Sequence, residues 1–384
     1  MIVREYEKIF RDDCPNFDEL AAFAEAQEFL NLGWNCIQAK NFVGVIRLPS
    51  GFQLEILPKI HERDDEPKLR GLVVEMLRTL EDFAGKKFLN ATLDTARLNL
   101  YEIFMQIYLV KISELVKRGL KSSYSAREEN LNVFKGKLLI NPHVRKNFAH
   151  GEKFFVAYDE YNIDRPEHRL IKATLAKILH TTRENFRLAR RLYGDFDSVT
   201  QSTNYRRDFA KISIDRTNRE YRAVMKWTEI FLRGESFTAF AGKTKATALL
   251  FDMNKLFESY VAHHVRKNFS DRFNVKTQAQ EKFLFDTTKD YALKPDILLT
   301  GDETIVLDTK WKFAPTEGDM YQMFAYAKRY GAKKIFLLCP PTVAEKIYRA
   351  EDFSVTVFGV DLFDMNAAMS RLRETLTGCK ICRE

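Results

Sequence analysis

Apolar positions along the chain fall into blocks of helical spacing and blocks of alternation. From Phe17 to Leu30 (FDELAAFAEAQEFL) the spacing predicts a helix. Val43, Val45 and Ile46 then precede Pro49-Ser50-Gly51, and Phe52, Leu54 and Ile56 alternate with polar residues before Pro58, which predicts two strands around a turn. The acidic run HERDDEPK (61–68) marks a linker. Helices are predicted over about 69–83 and 98–121; the second is apolar at Ile103, Ile107, Val110 and Leu115 and reads as core. Lys135-Gly136-Lys137 lies between apolar runs, and the chain turns helical again near Pro166, with Asp164 as a candidate cap. Arg-rich helices fill most of the stretch to Gly234.

The texture changes from Ser236 onward. A helix over about 248–268 leads into short strands, a loop at 314–318, a helix at 319–330, a strand at 334–338, a helix near 343–350 and a strand at 354–360. This order predicts an α/β (α+β) protein whose C-terminal part is a mixed sheet flanked by helices. Three regions are expected: a β-containing segment 1–64, a mainly helical segment 65–235 and the α/β segment 236–384. No internal repeat or low-complexity segment interrupts them.

Composition fits a globular chain of two or three domains, with 384 residues, 45% of them hydrophobic and 30% charged. The net charge of +8 is uneven: between Thr181 and Arg233 there are 12 Lys or Arg against 7 Asp or Glu. Guanidinium groups suit phosphate, so a polyanionic partner and a plain solvated helix face both fit. Cysteines at 14, 36, 339, 379 and 382 form no disulfide framework, which points to a reducing cytoplasm. Cys379 and Cys382 make one CxxC with no second pair to close a zinc site. No signal-like leader and no apolar run of about 18 residues occurs, so no membrane span is expected.

Against this background KPDILLTGDETIVLDTKW (294–311) breaks the local rules, because Asp296, Asp308 and Lys310 stand within apolar strand-like runs. Period-2 geometry puts Val306, Asp308 and Lys310 on one strand face and Ile305, Leu307, Thr309 and Trp311 on the other. With Gly301-Asp302-Glu303 as a three-residue hairpin loop, Thr300 pairs with Thr304 and Asp296 falls opposite Asp308. Carboxylates ~5 Å apart repel unless a proton or cation intervenes. Mg²⁺ suits such a pair, and Asp296, Asp308 and the backbone carbonyl of Thr309 are the candidate ligands, with Lys310 placed to orient or help deprotonate a metal-bound water, or to steady charge on a phosphoryl centre. The competing reading is an Asp296–Lys310 salt bridge in an ordinary hairpin.

Two helices add context. Phe251, Asn254, Glu258, Val261 and Val265 share a face at 3.6 spacing, so Glu258 lies on an apolar stripe as a metal-site candidate or a boundary glutamate. In GDMYQMFAYAKRY, Gln322 and Tyr326 are i and i+4, with Asp319 one turn earlier. AGKTKAT (241–247) lacks the first glycine of a phosphate-binding loop, that place being Phe237, so this chain is not expected to bind nucleotide. Adjacent His263 and His264 cannot face one metal, and no serine-nucleophile elbow exists.

The helix carboxylate, PD, DxK and QxxxY together resemble the PD-(D/E)xK nuclease superfamily. More specifically, the chain resembles McrC, the nuclease subunit family of McrBC-type modification-dependent restriction systems. The likeness is carried by VGVIRL and EILPKI, FKGKL (134–138), YDEYNIDRPEHRLIKATL (158–175), REYRAV (219–224), MNKLFESYV (253–261) and the KPDILL/IVLDTKWK pair; His168 stands where Asn is expected. The resemblance implies catalytic Asp296, Asp308 and Lys310, with Glu258, Gln322 and Tyr326 supporting, and Mg²⁺ or Mn²⁺ as cofactor. It also implies an McrB-like hexameric AAA+ partner that hydrolyses GTP and contacts the N-terminal half, double-stranded DNA as substrate, and possible pairing of two copies. Two other classes compete: a non-catalytic adapter of a motor NTPase, and a stand-alone iron–sulfur nuclease using Cys339, Cys379 and Cys382.

Overall fold

The computed structural model describes residues 1–25, 29–60, 65–80, 98–149, 151–233, 247–280 and 282–377. The fold is mixed α/β, in two compact units: Met1–Ile103 with Gly234–Glu384, and Phe104–Arg233. The expected segments 1–64 and 236–384 therefore share a unit. Among the described residues no helix is long and apolar enough to cross a membrane.

The first unit contains a six-stranded sheet in the order Asn274–Thr277, Ile297–Thr300, Thr304–Thr309, Lys334–Cys339, Ser354–Gly359, Lys346–Arg349. Its central pairings are parallel and its edges antiparallel. Ile335 to Cys339 are all buried, as expected of a strand covered on both faces. Met323, Tyr326 and Ala327 of the helix Glu317–Tyr330 pack with Val306, Ile335 and Leu337. From the helix Met253–Phe269, Phe257 meets Trp311, with ring centroids 5.4 Å apart.

A second sheet in this unit joins N-terminal strands to a distant one, in the order Ile2–Arg4, Gln53–Leu57, Phe42–Arg47, Thr247–Asp252. The expected strands around Pro49-Ser50-Gly51 are present. The expected helix start at 248 is corrected: Thr247–Asp252 is a strand paired with Phe42–Arg47, and Asp252 then caps the helix by accepting from Asn254 N at 2.9 Å. A six-residue apolar run fits either period, and a partner strand some 200 residues upstream decides it. Gly44 permits that pairing, since a Cβ there would lie 1.9 Å from the carbonyl oxygen of Leu249. The helix Glu66–Thr79 also belongs to this unit, tied by the buried bidentate pair of Arg70 with Glu55 at 2.9 and 2.8 Å. The expected helix at 343–350 is absent; Lys346–Arg349 instead forms an edge strand. A run of four residues cannot repay helix nucleation, whereas a neighbouring strand supplies ready hydrogen bonds.

The second unit packs Phe104, Tyr108, Trp227 and Phe231 at its centre. It also carries a three-stranded antiparallel sheet in which Phe154–Asn162 lies between Ser123–Leu131 and Lys137–Leu138, with alternating exposure along Ser123–Leu131. Asp164 is not the cap of the helix Pro166–Leu179; it makes a bidentate pair with Arg169 at 2.8 and 2.7 Å and accepts from Thr200 N. His168 is fully buried between the Ile163 carbonyl at 2.6 Å and the Tyr221 hydroxyl at 2.8 Å. An Asn likewise carries one donor and one acceptor group.

In the first unit Glu5 is fully buried; it accepts from Trp311 Nε1 at 3.1 Å and from Lys59 N at 3.2 Å. Burial pushes its carboxyl up to about 8, and Asp252 adds to the rise. The folded chain thus binds a proton that the unfolded chain releases near the ordinary 4.5. This group's contribution is whole below that value and is lost as pH climbs to about 8, at up to ~1.4 kcal/mol per pH unit. We expect Glu5→Gln, compared with the native chain by urea denaturation at pH 5, 7 and 9, to gain relative stability as pH rises. A difference that stays constant with pH would show that Glu5 is ionised in the fold.

Candidate active site at the sheet mouth

The hairpin register is the one the loop length predicts. Thr300 pairs with Thr304 and Ile297 with Leu307, so the next step in register brings Asp296 opposite Asp308. Asp308 is 1% exposed, on the face that Val306 shares with the helix Glu317–Tyr330. Asp296 Oδ2 accepts two hydrogen bonds from Thr309, from its N at 2.7 Å and its Oγ1 at 2.6 Å. The salt bridge forms with the other carboxylate: Lys310 Nζ lies 2.6 Å from Asp308 Oδ2. That oxygen is buried and receives no well-directed hydrogen bond.

The electrostatics follow from this crowding. Burial first, then the charge of Asp296, raises the Asp308 carboxyl, and Lys310 opposes the rise. For Lys310, burial favours the neutral amine, but Asp308 and then Asp296 outweigh it and the ammonium is strengthened. Glu258, half-buried on the helix Met253–Phe269, is also raised, by burial and then by Asp296. Three carboxylates and one lysine therefore share a single field.

Gln322 and Tyr326 act one step further out. Gln322 Nε2 donates to the Tyr326 hydroxyl at 2.8 Å, which donates to the Lys294 carbonyl at 2.9 Å, two residues before Asp296. Asp319 is a cap: it closes a capping box with Thr316 and accepts from Lys312 Nζ at 2.9 Å.

Sequence reasoning missed Gln278. Its N–H donates to the Asp296 carbonyl at 2.8 Å and its side-chain amide to Glu258 Oε1 at 2.6 Å. It holds a left-handed φ of 50°, which costs on the order of 1 kcal/mol for a residue with a Cβ. Nothing in the local sequence QAQEK signals such a role. Glu5 was missed for the same reason, its partner Trp311 being 306 residues away.

The donor set fits a hard cation of low protein-ligand demand. Among the described residues no three His, Cys, Asp or Glu converge into a metal cage. Mg²⁺ needs only one or two carboxylates beside water and substrate oxygens, and the buried Asp308 Oδ2, which faces the Lys310 ammonium and accepts no well-directed hydrogen bond, is a suitable ligand. A structural zinc would require a fuller set. Cys339 is buried, and burial raises its thiol to about 12. Cys379, Cys382 and the Gly-Lys-Thr run at 242–244 lie outside the described residues.

A family model described as McrBC 5-methylcytosine restriction system component matches residues 37–340. No curated protein matches the chain. Among solved structures, a chain of the Thermococcus gammatolerans assembly of McrB AAA+ hexamers with bound McrC is similar over 99% of this chain and 100% of its own, with TM-score 0.72 and 19% identity. A chain of the T. gammatolerans McrBC complex is similar over 70% of this chain and 88% of its own, with TM-score 0.50 and 20% identity. At these identities the likeness is one of fold.

The hydroxyl of Tyr326 is the only group removed by Tyr326→Phe, which leaves the Lys294 carbonyl and the Gln322 amide each without this partner. We expect a loss of about 1–3 kcal/mol in urea denaturation. An unchanged midpoint would show that the hydroxyl does not hold the segment before Asp296.

Proposed function

The chain belongs to the McrBC 5-methylcytosine restriction system component family, and we propose that it is the nuclease subunit, a metal-dependent endodeoxyribonuclease. The observation that carries this reading is the buried Asp308, set opposite Asp296, with the Lys310 ammonium 2.6 Å from Asp308 Oδ2. A structural ion pair alone gives no reason to gather a second and a third carboxylate around it.

Asp296, Asp308 and the Thr309 carbonyl would hold Mg²⁺ or Mn²⁺, which supplies positive charge against the scissile phosphate. The chain's own residues do the rest. Lys310, kept protonated by the two aspartates, presents its ammonium to the phosphate oxygens as negative charge grows when water attacks phosphorus and the ester P–O bond breaks. Glu258, fixed by Gln278, flanks that centre. Tyr326 and Gln322 hold Lys294, so that Asp296 keeps its register.

The substrate is double-stranded DNA, and the partner is an McrB-like hexameric AAA+ protein that uses the GTP. A solved relative of the same fold is bound to McrB hexamers, which supports this assignment. Two copies would serve two strands, and the working compartment is the cytoplasm.

The test is plasmid cleavage, on methylated and unmethylated DNA, by the chain with its neighbouring motor, GTP and Mg²⁺. Asp308→Ala is expected to lower cleavage at least ~100-fold while stimulation of GTP hydrolysis persists. Cleavage by the variant at the native rate removes the nuclease assignment; GTP stimulation without cleavage by either protein supports an adapter instead.

A further inference from the structure

A groove of about 420 Å³ runs along the solvent side of the helix Met253–Phe269, with Glu258 and Gln278 at one edge. Lys255, Ser259, His263 and Arg266 also line it. Positions 255, 259, 263 and 266 are i, i+4, i+8 and i+11, so they share one helix face. Lys255, His263 and Arg266 are exposed, whereas Val261 and Val265 of the opposite face are buried. The groove therefore sets a row of hydrogen-bond donors, with Ala262 and Leu80 beside them, next to one carboxylate, Glu258, which belongs to the acidic centre.

We infer that this groove seats the sugar–phosphate backbone of the DNA strand that flanks the scissile phosphate; the inference rests on the nuclease reading above. From Lys255 to Arg266 the helix rises about 16 Å, enough to follow several nucleotides at ~3.4 Å each. Ammonium, hydroxyl, imidazole and guanidinium groups suit phosphate oxygens, and contacts of this kind set register without reading sequence. Arg266 is braced for such a role by its bond to Thr277 Oγ1 at 2.8 Å, which fixes the guanidinium against the edge strand. The bond of Gln278 to Glu258 links the groove to the centre, so a strand lying in it leads toward Asp296. A small free anion would not need the length, and the exposed Lys255 and Arg266 on one helix face favour a polyanion over a protein segment.

The groove is tested without cleavage. The full chain carrying Asp308→Ala is titrated onto a fluorescent 30-base-pair duplex by anisotropy, in Ca²⁺ and across a series of salt concentrations. Adding Lys255→Glu and His263→Glu is expected to weaken binding on the order of tenfold or more and to flatten the salt dependence by about one unit for each phosphate no longer neutralised. Lys346→Glu, on the exposed edge strand, serves as the control and is expected to leave affinity unchanged. Ser259→Asp gives the same reading if the double variant unfolds. Equal affinity with and without the groove changes, an equal loss in the control, or no DNA binding by the Asp308→Ala chain each overturns the inference. Failure of the nuclease reading would show separately, as cleavage that survives Asp308→Ala in the otherwise native chain.

Discussion

Two carboxylates held face to face at the end of an apolar sheet set the terms for everything around them. The register of the hairpin leaves Asp296 and Asp308 no way to turn apart without moving every buried residue between them to the wrong face. The repulsion is instead shared out. Thr309 gives two hydrogen bonds to Asp296, Lys310 sets its charge against Asp308, and Gln278 accepts a left-handed backbone to brace both Asp296 and Glu258. Removing any one of these leaves a partly buried like-charge cluster with less compensation, so the site is better understood as one electrostatic unit than as a set of ligands.

That unit is anchored to the other end of the chain. Thr247–Asp252 is a strand of the N-terminal sheet, and its last residue caps the helix that carries Glu258. Trp311 follows Lys310, packs against Phe257 beside Glu258, and donates to Glu5. Both elements of the candidate centre are therefore fixed by residues of the first sixty. Glu55, in the same sheet, holds Arg70 and also accepts from Leu100 N at 2.8 Å. Buried polar pairs, rather than apolar contact alone, specify how these distant segments meet.

How much of this was legible in the sequence depended on distance along the chain. The hairpin was readable because a three-residue loop and a period of two leave one register for eight residues. The Gln322–Tyr326 bond was readable as an i, i+4 pair, although its target, the Lys294 carbonyl, was not. Thr247–Asp252 and Lys346–Arg349 were expected to be helical because short apolar runs carry no period of their own; their strand partners determine them. Glu5 and Gln278 gave no signal, since each is made significant only by a residue brought to it from elsewhere.

The lysine shows why the resting electrostatics and the proposed chemistry belong together. As residues i and i+2 of one strand, Asp308 and Lys310 point the same way, yet their side chains end in different surroundings: Asp308 is 1% exposed and Lys310 21%. A cation taken up by the two aspartates would meet their negative charge and weaken the hold on the ammonium. In the proposed reaction the partly exposed lysine turns outward, where the phosphate would arrive. On the proposed reading, the charge that balances Asp308 at rest is the one offered to the substrate. The cost of burying Asp308 is in this way coupled to the placement of the lysine that the proposed reaction uses.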